Sequence, residues 1–217
     1  MQSLERNILI RSLFILGVSL IVACGPTISS ENEELEEKEV YVSTPKKHRN
    51  LTAKTDSSVY AIIEIPSGSN KMLNFSTTSG KIEPPEANDE KMLNFLPFPG
   101  NFGFVPKTKR MEKPIDIIVL SRRFDSGELI NTFPIGAIKL KAGPDERFII
   151  VAVPVNKKDR TIQALNFQDF FTTYDSAKFI LEQWFANYQG YGSYKIESWV
   201  DERTAYQEVD HFEITDK

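Results

Sequence analysis

Residues 98–120 read FPGNFGFVPKTKRMEKPIDIIVL and hold four cations, Lys107, Lys109, Arg110 and Lys113, beside two acids, Glu112 and Asp116. Clustered Lys and Arg side chains are what an anion site is made of, even in a protein whose overall charge is mildly negative. Asp116 is the odd residue. Around it, residues 115–120 are otherwise apolar and suit a strand buried on both faces. An acid one position inside such a strand must be paired, hydrogen-bonded or turned towards a polar cavity. Phe102, Phe104 and Val105 alternate around Gly103 as a strand does, and Pro106 and Pro114 punctuate a charged loop between the two runs. A solvated loop is the bland account of the same lysines.

The rest of the chain supplies the elements that position this stretch. Strands are predicted over residues 59–65, 73–75, 92–95, 132–141 and 148–153, with the polar turn 142–147 between the last two. The pentapeptide KMLNF occurs twice, at 71–75 and 91–95, which is too little for a repeat architecture. The period then changes. Ala177, Ile180, Leu181, Trp184, Phe185 and Tyr188 mark one face of a helix started at Asp175 or Ser176 and stopped at Gly190. A strand over 194–199 and a helix over 201–211 follow. Many short strands followed by packing helices predict a mainly β domain, a small closed β-barrel with flanking helices.

The N-terminus reads as an appendage. Arg6 and Arg11 precede the apolar run 12–23, too short to span a membrane and laid out like a secretory signal. The run ends in LIVAC, similar to a bacterial lipobox, and Cys24 is the chain's one cysteine. The expected organisation is a signal peptide over 1–23, a lipid-anchored tether over 24–58 rich in Glu, Lys, Ser and Thr, and a folded domain over 59–217. This places the protein in the bacterial cell envelope, outside the cytoplasm, attached to the membrane through lipidated Cys24. With 26 basic and 30 acidic residues and a net charge of −4, it is not a nucleic-acid binder by charge. His48 and His211 have no metal-ligand neighbours in sequence.

The strings FPGNFGFVP and KPIDIIVL, with IEIP at 63–66, PIGAIKL at 134–140 and VAVP at 151–154, resemble the family I soluble inorganic pyrophosphatases from about Val59 to about Phe212. That resemblance implies a five-stranded, closed OB-like barrel. It also implies hydrolysis of pyrophosphate by a water held between Mg²⁺ ions, with carboxylates gathering the metals and Lys, Arg and Tyr holding the phosphates. The departures fall on the functional positions. In the family's D-x-D-P-x-D motif the first two acids are Met111 and Lys113, and Asp116 alone survives. The tyrosines of Y-P-x-N-Y-G are Phe98 and Phe102.

Glu64 keeps the acid of IEIP. The resemblance puts Lys71 at a family lysine through a one-residue bulge, Lys91 or its neighbour Glu90 at a family arginine, Asp145 and Arg147 at an acid and a lysine after a two-residue shift, and Tyr188 at a phosphate-binding tyrosine, although it also completes the helix's apolar face. Three readings follow: a lipid-anchored pseudoenzyme that binds phosphate or pyrophosphate through Lys113, Arg147 and Lys71 or Lys91, with no cofactor; an active Mg²⁺-dependent diphosphatase with metals on Asp116, Asp145 and Glu64; or a structural envelope lipoprotein. With most acids of the central motif replaced, the first is favoured. On it, Lys113 stands in for a metal ion and pairs with Asp116. The resemblance also implies a homo-oligomer, as many bacterial members are.

Overall fold

Alternating apolar residues along the strands, each side chain facing opposite to the next, divide the core between two faces of one sheet. The structure, a computed structural model, describes residues 42–43, 52–76, 78–85 and 96–214. All of these lie in one compact unit, residues 39–217. In chain order the strands are β1 (Val42–Ser43), β2 (Val59–Ile65), β3 (Asn74–Ser76), β4 (Lys81–Glu83), β5 (Asn101–Arg110), β6 (Lys113–Val119), β7 (Leu129–Ala142), β8 (Asp145–Pro154) and β9 (Lys195–Val200). The helices are α1 (Phe167–Thr173), α2 (Asp175–Asn187) and α3 (Glu202–Phe212).

Strand β2 pairs with β5, β5 with β6, β6 with β8, β8 with β7, and β7 returns to β2, so five strands close a ring. The 14-residue length of β7 makes closure feasible: residues 129–132 pair with β2, while residues 137–141 pair with β9, which is added outside the ring. The β6–β8 pair is parallel and the other ring pairs are antiparallel. A small sheet ordered β1-β4-β3 lies apart, and its Ile82 and Phe75 pack with Ile62 and Phe104.

On β6, Ile115, Ile117 and Val119 join a core with Ala205 and Val209 of α3. Ile118 faces the other way, into a core with Leu181, Trp184, Phe185 and Tyr188. Asp116, two residues before Ile118, shares the α2 side. On β8 the same alternation sends Phe148 and Ile150 towards α3, and Ile149 and Val151 towards α2, so Arg147 shares the face of Asp116. Helix α2 is fixed over this face by Trp184, whose Nε1 donates to Pro97 O at 2.9 Å and whose ring lies 4.5 Å from that of Phe98. Asn166 caps α1 and Asp201 caps α3, each accepting a backbone N–H from three residues on.

Several expectations change. The charged loop at 106–114 is instead strand up to Arg110 and again from Lys113, joined by a two-residue turn at Met111 and Glu112. The surplus residues of β5 form a bulge between Val105 and Arg110. Its inward hydroxyl, Thr108 Oγ1, donates to Val105 O at 2.7 Å and accepts from Ile115 N at 3.0 Å. The polar turn at 142–147 shrinks likewise to Gly143 and Pro144. Ile180, assigned to the buried face of α2, is 57 % exposed. The expected strand at 92–95 lies outside the described residues, and β4 and α1 were not anticipated, being too short to show a period. Packing also reaches back beyond Val59: Ala53 is fully buried, and its N–H donates to Glu213 Oε1 at 2.9 Å.

Candidate functional site

Asp116 on β6 and Ile149 on β8 are partners in the parallel pair, which places Arg147, two residues before Ile149, diagonally beside Asp116. Its guanidinium donates to Asp116 Oδ2 through Nε at 3.1 Å and Nη2 at 2.5 Å, and through Nη1 to the hydroxyl of Tyr188 at the end of α2. The Phe102 and Tyr194 rings flank it, with centroids 5.9 and 6.0 Å from Cζ. Tyr194 stacks on Tyr188 at 5.7 Å and 5°, and Tyr188 on Trp184 at 4.8 Å and 8°. The side chains of the ion pair are about a quarter exposed, 24 % for Arg147 and 26 % for Asp116. Burial by itself would lower the Arg147 pKa, but Asp116, together with Tyr188 and Tyr194, more than offsets this and the guanidinium stays charged. Burial raises the Tyr188 phenol above its usual value, against the pull of Arg147, and it stays protonated at neutral pH.

Glu64 sits where the β2–β5 register slips between Ile63 and Ile65. It is 7 % exposed, and its Oε1 accepts the backbone N–H of Phe75 on β3 at 2.5 Å. Burial pushes its pKa up to about 8; the Phe75 N–H opposes the rise, the charge of Asp116 adds to it and Arg147 subtracts from it. At neutral pH Glu64 is therefore largely a neutral acid, with one oxygen committed to β3.

The structure brings three of the sequence-derived candidates together, Asp116, Arg147 and Tyr188, and the charges of the first two act on Glu64. It places two others, Lys113 and Asp145, apart from these. Lys113 is exposed at the start of β6, and because it stands three positions before Asp116, strand alternation turns it to the opposite face. The expected Lys113–Asp116 pair is thus replaced by Arg147–Asp116. Asp145 is exposed at the tip of the β7–β8 hairpin, away from any group of acids. Lys71 is exposed just before β3. Lys91 and Cys24 lie outside the described residues. Tyr188 completes the apolar face of α2, with its ring buried in that core, and its hydroxyl accepts from Arg147.

Two contributors escaped the sequence reading. Tyr194 gave no signal, because its role depends on the turn that brings it back onto Tyr188. Asn101 did, being the Asn of the FPGNFG string. Fully buried, its Oδ1 accepts from Ser67 N at 3.0 Å and Phe124 N at 2.9 Å, and its Nδ2 donates to Ser121 Oγ and Arg122 O, both at 2.8 Å. All its hydrogen-bonding capacity ties the loops after β2 and β6 to the start of β5.

Residues 61–214 match the family model "Inorganic pyrophosphatase". The chain belongs to the inorganic pyrophosphatase family. An inorganic pyrophosphatase of Sulfolobus acidocaldarius is 30 % identical over 146 residues, 65 % of this chain and 81 % of that protein. Among solved structures, the inorganic pyrophosphatase from Helicobacter pylori has a TM-score of 0.64 at 21 % identity, over 76 % of this chain and 96 % of that one. The one from Coxiella burnetii has a TM-score of 0.61 at 23 % identity, over 75 % and 97 %. The mainly β fold, with its ring of five strands, is therefore the fold of inorganic pyrophosphatases.

The residues present do not fit the divalent ions that the family implies. A hard cation needs several ionised oxygens converging on one point. Here Asp116 is already paired with Arg147, and Glu64 Oε1 is committed to the backbone N–H of Phe75. Met111 and Lys113 sit at an exposed hairpin tip, where thioether and ammonium offer Mg²⁺ nothing. Among the described residues, no three acids, histidines or cysteines are grouped to hold a metal.

Proposed function

We propose that this chain is a non-hydrolysing member of the inorganic pyrophosphatase family, held at a bacterial envelope membrane by lipid on Cys24, that binds phosphate or pyrophosphate rather than splitting it. One observation carries the reading: the surviving acid of the central motif, Asp116, is paired at Oδ2 with the Arg147 guanidinium through Nε and Nη2. Family chemistry relies on carboxylates to gather metals, and metals to ionise the attacking water. A carboxylate facing a guanidinium does neither. For the ligand, Arg147 has five N–H donors, of which Asp116 and Tyr188 take three. The other two are the donors at this site for a phosphate oxygen, in place of the Lys113 that the sequence suggested.

The test is pyrophosphate hydrolysis by protein lacking residues 1–23, with Mg²⁺, Mn²⁺ and Zn²⁺ in turn, alongside calorimetry with phosphate and pyrophosphate in EDTA. Removing one element of a preorganised charge-stabilising site costs on the order of a hundredfold in rate, and several are missing here, so turnover is expected to be lower by several orders of magnitude than in relatives. Turnover comparable to theirs overturns the reading. No binding heat in EDTA overturns the ligand half of it and leaves a structural envelope protein.

A further inference from the structure

We infer that Arg147 is the resident cation of this fold: its guanidinium supplies, at Asp116, the positive charge that a divalent ion supplies in a metal-dependent relative, so the domain's stability is independent of divalent metal. The inference shares its site with the non-hydrolysing reading but is read out by stability rather than turnover, so either can fail without the other.

The geometry carries it. Asp116 is turned by strand alternation onto the face covered by α2, where an ionised carboxylate without a counter-charge is costly. Arg147 answers from the adjacent parallel strand with two N–H donors on a single oxygen, Oδ2. A bound metal would compete for that oxygen. The guanidinium cannot withdraw easily, because Nη1 is tied to Tyr188, whose ring is 2 % exposed and lies between Trp184 and Tyr194. Phe102 borders the same guanidinium, and the ring of Phe98 lies 5.5 Å from that of Phe102 and 4.5 Å from that of Trp184. The cation is thus held by α2 as well as by β6 and β8, so the charge pair also fixes how the end of α2 sits on the ring. Arg is suited to the place because its planar fork serves carboxylate and hydroxyl at once, which an ammonium does less well.

The experiment is thermal unfolding of the protein from Cys24 onwards, in EDTA and in millimolar Mg²⁺ or Mn²⁺, for wild type, Arg147→Met, Arg147→Met with Asp116→Asn, and Arg147→Lys. Wild type is expected to melt at one temperature in all three solutions. Arg147→Met should melt roughly 4–8 °C lower in EDTA, the shift for losing one side of a partly exposed ion pair in a domain of this size. Metal should recover part of that loss, because Asp116 is then unpaired. The double variant, which removes both charges, should lie above Arg147→Met in EDTA and ignore metal. A wild type stabilised by Mg²⁺ overturns the inference, as does an Arg147→Met that melts with wild type or is unmoved by both metals. If Arg147→Met does not fold, the remaining pair decides: Arg147→Lys and the double variant must both fold and melt independently of metal, and a metal response in either overturns the inference.

Discussion

Glu64 is the acid whose charge state changes within reach of an ordinary titration. Its folded pKa, about 8, lies above the 4.5 of an unperturbed carboxyl. Below 4.5 folded and unfolded chains both hold the proton and stability is complete. As pH rises the unfolded chain ionises freely while the folded one must keep the proton, so stability falls and the loss levels off above about 8. Glu64→Gln keeps an acceptor for the Phe75 N–H and removes the titration. Urea unfolding at acid, neutral and mildly alkaline pH should show wild type losing on the order of a few kcal/mol relative to this variant. Parallel pH profiles for the two proteins would show that the buried acid is not coupled to folding. Asn101 has no such switch, only consequences. Asn101→Ala strands the buried backbone N–H of Phe124 and the part-buried one of Ser67, and should cost roughly 2–4 kcal/mol by urea unfolding.

At the scale of elements, the β5–β6 hairpin turns on two residues that both take positive φ, Met111 at 49° and Glu112 at 67°. That is the conformation in which Asn-Gly is strongly preferred, because the left-handed region costs an ordinary side chain about 1 kcal/mol. Replacing Met111-Glu112 by Asn-Gly is expected to stabilise the domain by about 1–2 kcal/mol. A destabilised variant would mean that Met111 or Glu112 makes a compensating contact. Gly103 presents the opposite case. A Cβ there would lie 1.9 Å from Ile62 O, a backbone atom of the neighbouring strand that no rotamer change can move. Gly103→Ala must therefore part β2 from β5, with an expected loss of roughly 3–5 kcal/mol or failure to fold. Near-normal stability on denaturation would show that the strands can separate locally.

For the whole molecule, the segment before the ring is stapled to the C-terminal helix. Lys54 pairs with Asp210 of α3, and the hydroxyl of Tyr206 donates to Ser57 O at 2.8 Å. The proposed lipid on Cys24 is tested apart from the fold. Cys24→Ser should abolish both lipoprotein processing and partitioning into the detergent phase. If the variant still fractionates with membranes, the anchor is elsewhere.

Family and fold were legible because they rest on local strings and on period two: FPGNFGFVP, the run at 115–120 and the strand at 148–153 each mark a strand, and the helix face at Ala177 to Tyr188 marks α2. The site was legible as a set of residues but not as a set of partners. Asp116 is visibly anomalous in an apolar strand, yet its counter-charge comes from 31 residues away across a parallel pair, and only register decides which cation reaches it. Lys113 was the nearer choice in sequence, and strand parity turns it to the other face. Likewise, nothing local to Glu64 foretells that β3 will cap it and burial raise its pKa, since both depend on where a separate small sheet docks. Residue type and spacing determined the ring and its missing acids; tertiary packing decided that Arg147 neutralises the one acid left.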